Sequence, residues 1–317
     1  MTEGFSPNPE GPVLVIGSAG VDIVGRLKSE LHPGTSMAAQ IRFSLGGVGR
    51  NVAENLVRLG QPVKLITAIG EDEVAERILQ GLAAAGVDTS AILSTSQYDT
   101  GSYLAVVDAQ GALQFALDDM RAMSILTPEY IRGYAGLFKE SSLVFIDANL
   151  PKETLQSIVS LARRAHLPVC ADPTSVALAP RLRPYLSKLH LITPNSAEAA
   201  VLCERTTPVS GRRQALEIAK CLVAQGVNIA IVTLAGQGLC YATSETSGYI
   251  PAIKTTILDP TGAGDALSAA VIFALLNDIP LDDAVRLGVS SASLTLRYRG
   301  AVVPDLSLEK LYDQLVI

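Results

Sequence analysis

The sequence is poor in the residues that build zinc sites. It contains three histidines and four cysteines in 317 residues, and no two cysteines form a C-x-x-C pair. Because zinc sites need clustered Cys and His ligands, the sequence does not indicate one. Cys170, Cys203 and Cys221 are flanked mainly by aliphatic residues. This pattern predicts buried thiols in a reducing compartment.

Charge is also scarce, with 18% charged residues and a formal net charge of −6. An acidic chain has no basic surface for nucleic acid or for an anionic membrane, so neither partner is expected. No apolar run approaches the roughly 18 to 20 residues that a membrane helix needs. The stretch before Pro12 lacks the basic-then-apolar pattern of a secretory signal. We therefore expect a soluble cytoplasmic protein.

Three common catalytic motifs are missing. Without G-x-x-x-x-G-K-S/T, the chain is not a P-loop kinase. Without G-x-S-x-G, an α/β-hydrolase is disfavoured. The turn from Gly17 to Gly20 lacks the full G-x-G-x-x-G fingerprint, which argues against an NAD-dependent oxidoreductase. Any bound phosphate would have to be held by backbone amides, a few cations and metal.

Strand-like and helix-like segments alternate over most of the chain, beginning with a strand at Val13–Ile16. This alternation predicts an α/β fold with three layers, α/β/α, around a mostly parallel central sheet. Two stretches, about 22–45 and 98–121, show the period-2 pattern of a small β-sheet. We expect a single domain over residues 1–317, with these two stretches forming a lid.

A polar, glycine-rich turn at 259–265 leads into the Ala- and Leu-rich segment Ala266–Leu276. The turn is typical of a helix N-terminus, where free backbone N–H groups and the helix dipole favour an anion. Asp265 falls in the first helical turn, where a carboxylate could accept the proton of an alcohol during phosphoryl transfer. The local pattern alone fits an ordinary capped helix equally well.

A second glycine-rich turn, Gly46–Gly49, opens a helix with Asn51 in its first turn. Its exposed amides and the Asn51 side chain suit a polyhydroxyl ligand, and a tight turn packed on a sheet is the alternative. Four further polar clusters follow predicted strands, and Asp22 follows the first strand in what reads as a loop. Because ligands bind at the carboxyl edge of open α/β sheets, these clusters should gather there. The clusters are 147–149, 172–174, 193–198 and 233–238.

The two glycine-rich turns carry a family resemblance. Over nearly its whole length the chain resembles the ribokinase-like (PfkB) carbohydrate kinases, through Gly46-Gly47…Asn51 and the run from Asp259 to Asp265. Within that family it is most similar to the pseudouridine kinases, on residues 46–56, 100–104, 119–120 and 172–175. The resemblance implies an ATP-dependent kinase that uses Mg²⁺, with a K⁺ site found in many members.

The resemblance also implies roles for individual residues. Asp265 would be the general base, beside an anion hole made by the amides of Gly262, Ala263 and Gly264. The acceptor would be held by Asp22, Gly46, Gly47, Asn51, Thr100, Ser102 and Asn149. The nucleotide would lie along Asn195, Thr233, Gly236 and Gly238. Metal ions would be organised by Glu198 for magnesium and by Asp259 and Thr261 for a monovalent cation.

The resemblance implies that the acceptor is a ribosyl compound phosphorylated on its 5′-hydroxyl. Pseudouridine is the leading candidate. Gly20 departs from the polar residue that pseudouridine kinases often carry there, so ribose or a conventional nucleoside remains the near alternative. A non-catalytic sugar- or nucleoside-binding regulatory protein is the alternative of another class. A homodimer through the lid is expected, because an open sheet has edges that can pair.

Overall fold

The structure is a computed structural model and describes residues 8–205 and 209–315. The strands of these residues are β1 Val13–Ile16, β2 Gly20–Leu27, β3 Ala39–Gly46, β4 Val63–Ile66, β5 Ala68–Gly70, β6 Leu93–Thr95, β7 Gly101–Val107, β8 Leu113–Asp119, β9 Leu143–Asp147, β10 Val169–Asp172, β11 Leu191–Ile192, β12 Ile229–Thr233, β13 Leu239–Ala242 and β14 Ser247–Ile250. The α-helices are α1 Val48–Arg58, α2 Glu73–Ala85, α3 Pro128–Gly133, α4 Ala135–Glu140, α5 Lys152–Arg164, α6 Ser196–Leu202, α7 Gly211–Ala224, α8 Ala263–Leu276, α9 Leu281–Leu296 and α10 Leu308–Asp313.

The central sheet has eight strands in the order β14-β13-β12-β11-β10-β9-β1-β4. The pairs from β4 to β12 are parallel, and β13 and β14 are antiparallel at one edge. Every residue of β1, β9 and β10 is buried, as expected for strands covered by helices on both faces. Two apolar cores lie on opposite faces of these strands, because alternate residues such as Val13 and Leu14 belong to different clusters. The predicted α/β fold with a mostly parallel sheet is confirmed.

Helix α8 is the most deeply buried helix of the site region. It is apolar around most of its circumference, and it packs mainly against α9 on one side and α1 on the other. A helix that is hydrophobic all round belongs in a protein interior. Its N-terminus, where the glycine-rich turn lies, is therefore fixed rigidly relative to the start of α1.

A smaller sheet stands beside the central one, with the order β3-β2-β7-β8. Strands β2 and β3 are antiparallel, β2 and β7 are parallel, and β7 and β8 form the predicted hairpin. Asp22 pairs with Ser44 and with Tyr103 in this sheet. We expected Asp22 in a loop, and this was wrong: the chain re-enters extended structure at Gly20, directly after the turn.

Two other local expectations differ from the structure. The apolar run at residues 63–69 has the pattern of one strand, but the chain changes sheets at Thr67, so β4 joins the central sheet and β5 pairs with β6. The antiparallel hairpin β13–β14 was not expected from the sequence. Short strands at a sheet edge carry little periodicity, which explains the omission. Among the described residues, no helix combines the length and apolarity that crossing a membrane requires.

Candidate active site

The carboxyl ends of β9 to β12 bring the polar clusters together. Asp147 and Asp172 are register partners at the ends of β9 and β10. Asn195, just beyond β11, forms a bridge with Thr233 at the end of β12. Strand ends of a parallel sheet share one edge, and that edge faces the start of α8.

The turn that opens α8 depends on glycine at position 262. Gly262 has φ 77°, and a Cβ there would lie 2.2 Å from the carbonyl oxygen of Ala301. The first hydrogen bond within the helix runs from the Ala266 amide to the Gly262 carbonyl. The amides of Ala263, Gly264 and Asp265 therefore precede the helical ladder. A Cβ at Gly264 would meet nothing within 4 Å, so a ligand can approach this part of the turn.

Asp265 lies in the first turn of α8 and is 9% exposed. The Asn51 side-chain amide donates a hydrogen bond of 2.7 Å to its Oδ2 atom. Burial raises the pKa of Asp265 to about 7, and Asp22 and Asp147 act in the same direction. Asn51 and Arg50 oppose this rise. A carboxylate that titrates near neutral pH is suited to general base catalysis.

Other buried carboxyl groups surround Asp265. Burial raises the pKa of Asp22 to about 6. Burial also raises the pKa of Asp172 well above its ordinary value, and the neighbouring Asp265 and Glu198 add to the rise. The site therefore contains a cluster of buried carboxyl groups, beside which a divalent cation would be stabilised.

The start of α1 differs from the start of α8. The Val48 amide donates to Ser18 Oγ at 3.1 Å, and the Gly49 amide donates to Asp147 Oδ2 at 3.1 Å. The Arg50 amide donates to the Ser18 carbonyl at 2.9 Å. The expectation of exposed amides at this turn was wrong, because Ser18 and Asp147 already accept them. Side chains from α1, and not its backbone, face the site.

Gly46 and Gly47 lie where no side chain fits. A Cβ on Gly46 would lie 2.2 Å from the Asp22 carboxylate, and Gly47 has φ 93° and lies against Ser18 and Ala19. The close approach of Gly46 holds Asp22 near the first turn of α1. Gly20 is closed in the same way, since a Cβ there would lie 2.3 Å from the Gly101 carbonyl oxygen.

The remaining predicted acceptor residues have partners within the protein. The Asn149 side chain donates to Ser18 Oγ at 3.0 Å, which places it beside the α1 turn. The Thr100 hydroxyl donates to Asp72 at 2.8 Å and accepts from the Gly70 amide at 3.0 Å. Ser102 is adjacent in β7 to Tyr103, so it points to the opposite face of the small sheet from Asp22. The structure does not bring Thr100 and Ser102 to the Asp265 cluster.

Two cavities flank the α8 turn, and Pro260 lines both of them. The first, of about 270 Å³, lies between the sheet edge and the helices α8 and α9. Five residues that the sequence singled out line it: Asn195, Thr233, Gly238, Ala263 and Gly264. Its other walls are mainly apolar and were not predicted: Leu239, Ala252, Ile253, Leu267, Val289, Ala292 and Leu296. Gly236 lies at the adjacent turn, where a Cβ would meet nothing within 4 Å.

The second cavity, of about 320 Å³, lies between the small sheet and the α8 turn. Its polar lining comes mainly from the small sheet: Arg26, Gln40, Arg42 and Tyr103. Tyr103 is the register partner of Asp22. Asp22 therefore lies on the face of the small sheet that lines this cavity, at the end nearer to the central sheet. The two cavities could therefore admit two ligands to opposite sides of one turn.

The predicted metal residues are engaged with neighbours. Glu198 forms a capping box with Asn195. The Glu198 carboxylate accepts hydrogen bonds from the backbone and side-chain nitrogens of Asn195, at 2.9 and 2.7 Å. Asp259 accepts from Arg42 at 3.2 Å and from the Thr261 amide at 3.0 Å. Within residues 8–205 and 209–315, no group of three or more His, Cys, Asp and Glu could hold a metal ion.

Magnesium needs less than such a group. It binds through one or two carboxylates together with water and substrate phosphates. Asp172 and Glu198 are neighbouring buried carboxyl groups whose pKa values are raised by burial, and they fit that requirement. The monovalent-cation site fits less well, because the Asp259 carboxylate already pairs with the Arg42 guanidinium.

Ser18, Arg50 and Arg42 were given no role from the sequence, and Asp147 was placed at the sheet edge only as part of the cluster 147–149. Ser18 and Asp147 anchor the start of α1, and Arg50 bonds directly to the side chain of Asn51. The i, i+4 spacing of Arg50 and Glu54 in a helix that follows a glycine-rich turn was the available signal for this ion pair. Arg42 was not singled out because the period-2 pattern of β3 does not say which face is inward.

Comparisons with known proteins agree with this arrangement. The family described as pfkB family carbohydrate kinase matches residues 12–307. Pseudouridine kinase of Escherichia coli K12 is 31% identical over 93% of this chain and 94% of its own length. Ribokinase of Staphylococcus aureus is 28% identical over 94% of this chain and 98% of its own. The structure of Arabidopsis thaliana ribokinase complexed with ribose and ATP superimposes with a TM-score of 0.83 at 21% identity, covering 97% and 99% of the two chains.

Proposed function

The chain belongs to the pfkB family of carbohydrate kinases, ATP-dependent phosphotransferases acting on sugars or nucleosides, and we propose that its acceptor is pseudouridine. The proposal for the reaction rests on one observation: the buried Asp265 lies in the first turn of α8, directly after a glycine-rich turn whose residues line two cavities. The choice of pseudouridine rests on the 31% identity with a pseudouridine kinase over nearly the whole chain.

In the proposed reaction, Asp265 accepts the proton of the acceptor's 5′-hydroxyl. The hydroxyl oxygen then bonds to the γ-phosphorus of ATP, and the bond from that phosphorus to the β–γ bridging oxygen breaks, releasing ADP. Asn51 occupies Oδ2 of Asp265, which leaves Oδ1 for the hydroxyl. The amides of Ala263 and Gly264 would stabilise the charge that builds on the transferred phosphate.

The acceptor would lie between α1 and the small sheet, which then acts as a lid. Asp22 and Asn51 are buried and lie next to Asp265, so their side chains can bind ribose hydroxyls. Asn149 borders the same region through Ser18. A sheet that covers the acceptor would exclude water, which otherwise competes for the phosphate.

ATP would occupy the cavity against α8 and α9. The apolar walls from Ala252, Ile253 and Val289 suit a purine ring, and Thr233 and Gly238 border the route of the phosphates toward Gly264. Asp172 and Glu198 would hold Mg²⁺. The ion, when bound, offsets phosphate charge that this acidic chain cannot neutralise with Lys and Arg.

The near alternative is a ribokinase or a kinase of another nucleoside, because ribokinase relatives are only slightly less similar. Purified protein with MgATP should release ADP with pseudouridine at a kcat/KM at least about tenfold above that with uridine or ribose. Equal values for the three acceptors would contradict pseudouridine and retain the kinase. Failure of every acceptor would favour a non-catalytic binding protein.

We also propose that two copies associate through the lid. The face of the small sheet opposite to Asp22 carries exposed apolar side chains, among them Ile41, Phe43 and Leu117 at 62%, 65% and 64% exposure. Apolar groups clustered on one sheet face favour burial against a partner. Sedimentation should give a dimer that Phe43→Glu and Leu117→Glu convert to monomers. A monomeric wild-type protein would contradict this proposal.

A further inference from the structure

Arg50 is a buried cation next to the candidate site. Neither Asn51, which it contacts, nor Asp265 needs a positive charge beside it to bind a sugar hydroxyl. Arg50 is 6% exposed and ion-pairs with Glu54 one helical turn later. Its Nη1 atom donates to the Leu45 carbonyl at 3.2 Å and to Asn51 Oδ1 at 2.9 Å. The guanidinium thus bridges the end of β3 and the side chain that contacts Asp265.

The direction of these hydrogen bonds sets the orientation of Asn51. A guanidinium can only donate, so the oxygen of the Asn51 amide must face Arg50. The amino group of the same amide then faces Asp265 and donates to Oδ2 at 2.7 Å. If the amide were reversed, its oxygen would face the carboxylate and its amino group would face the cation, and both contacts would be repulsive.

We propose that Arg50 is a positioning residue that fixes the amide of Asn51, and through it the carboxylate of Asp265, for proton transfer. The inference rests on the proposed role of Asp265 as general base. The chain Glu54–Arg50–Asn51–Asp265 is buried throughout, since these side chains are between 2% and 9% exposed. Each member therefore has few alternative partners, and solvent does not replace a lost contact.

Arg50 also supplies the charge that opposes the carboxylates near Asp265. The groups that face this cluster are Asp22 from β2, Asp147 and Asp172 from the ends of β9 and β10, Glu198 from α6, and Glu54 and Arg58 from α1. Arg50 lowers the pKa of both Asp265 and Asp22, and the Asn51 hydrogen bond lowers that of Asp265 further. Loss of Arg50 should therefore raise the pH at which the base becomes active.

The test compares Arg50→Met, Arg50→Lys and the control Arg58→Met. Arg58 pairs with the same Glu54 but does not contact Asn51. For Arg50→Met we expect the acid limb of kcat/KM to move up by about one pH unit, the size typical of removing an opposite charge a few ångströms away. At pH 7, kcat/KM should fall about 10- to 100-fold, as expected for losing a hydrogen bond to a charged group.

Arg50→Lys separates charge from orientation. The ammonium keeps the positive charge, so the acid limb should stay near that of the wild type. A lysine has one nitrogen in place of the two that contact Asn51 and Glu54, so it cannot keep both contacts in the same geometry, and kcat should remain reduced at every pH. Arg58→Met should match the wild type in both respects.

Three results would overturn the inference: an unshifted acid limb in Arg50→Met, full kcat in Arg50→Lys, or the same changes in Arg58→Met. If Arg50→Met does not fold, the double variant Arg50→Met/Glu54→Met, which removes the buried partner charge, takes its place with the same expected shift. Asp265→Asn tests the proposed general base separately from the positioning role of Arg50. If that variant is inactive while Arg50→Met behaves as wild type, only the positioning role fails; if it retains turnover, the proposed base fails.

Discussion

The replacement Asp265→Asn should remove activity and stabilise the fold at the same time. A general base contributes typically 10²- to 10⁴-fold, so kcat should fall within that range while the shape of the side chain is kept. The opposite effect on stability follows from burial. The carboxyl has its pKa raised from 3.8 to about 7.

The sign of the stability effect follows from proton linkage. A carboxyl whose folded pKa is raised binds its proton more tightly in the folded state, so its ionisation destabilises the fold as pH rises from about 4 to about 7. A shift of this size corresponds to a few kcal/mol at pH 8, since one pKa unit is about 1.4 kcal/mol. Asparagine carries no charge, so the variant should be more stable than the wild type at pH 8 and equal to it near pH 4.

The assay is urea unfolding at pH 4, 6 and 8, together with ADP release under saturating MgATP and acceptor. Asp283→Asn, an exposed position on α9, is the matched control and should change neither quantity. A kcat for Asp265→Asn within tenfold of the wild type would contradict the role of Asp265 as general base. A variant less stable than the wild type at pH 8 would contradict the destabilising effect of the buried charge.

Four further predictions concern the same turn and its ligands. Gly262→Ala should lower the free energy of unfolding by roughly 1–3 kcal/mol, because of its positive φ and its contact with the Ala301 carbonyl. Gly264→Ala should leave urea unfolding unchanged and still lower kcat, because its new methyl group occupies the open side of the turn; equal stability losses in the two variants would contradict this distinction. The kcat/KM of the wild type should fall about tenfold per pH unit below an acid limb near pH 7, because Asp265 must be ionised to accept a proton; a flat profile down to pH 5 would exclude it as the base. Removal of divalent ions with EDTA should abolish ADP release while calorimetry still detects acceptor binding, and full turnover in EDTA would contradict a magnesium requirement.

The sequence was sufficient to predict the α/β fold because its strands and helices carry strong periodicity. Strand Val13–Ile16 was expected with the bounds that the structure gives, and the stretches 22–45 and 98–121, expected to form a small sheet, overlap β2, β3, β7 and β8. The sheet edge hairpin β13–β14 was missed because strands of four residues contain too few positions to show a period. Burial on both faces of a sheet is a strong sequence signal, and a short edge strand is not.

The candidate site could be predicted only in part, because side-chain orientation depends on contacts distant in sequence. The α8 turn was recognised from its own residues together with the family resemblance, and its neighbours in the first cavity came from the polar clusters that follow the predicted strands. The two glycine-rich turns looked alike, yet only the structure distinguishes them: Asp147, about a hundred positions away, accepts the Gly49 amide. Thr100 and Ser102 were assigned to the acceptor on resemblance alone; in the structure Thr100 contacts Asp72, and Ser102 is on the face of β7 opposite to Tyr103.

ADP release with pseudouridine, uridine and ribose should be measured in parallel for the wild type and Asp265→Asn. If Asp265 is the general base and pseudouridine the acceptor, the wild type shows turnover with a clear preference for pseudouridine, and the variant loses that turnover. Turnover that survives in Asp265→Asn, or a wild type that does not prefer pseudouridine over the other two acceptors, would contradict these assignments.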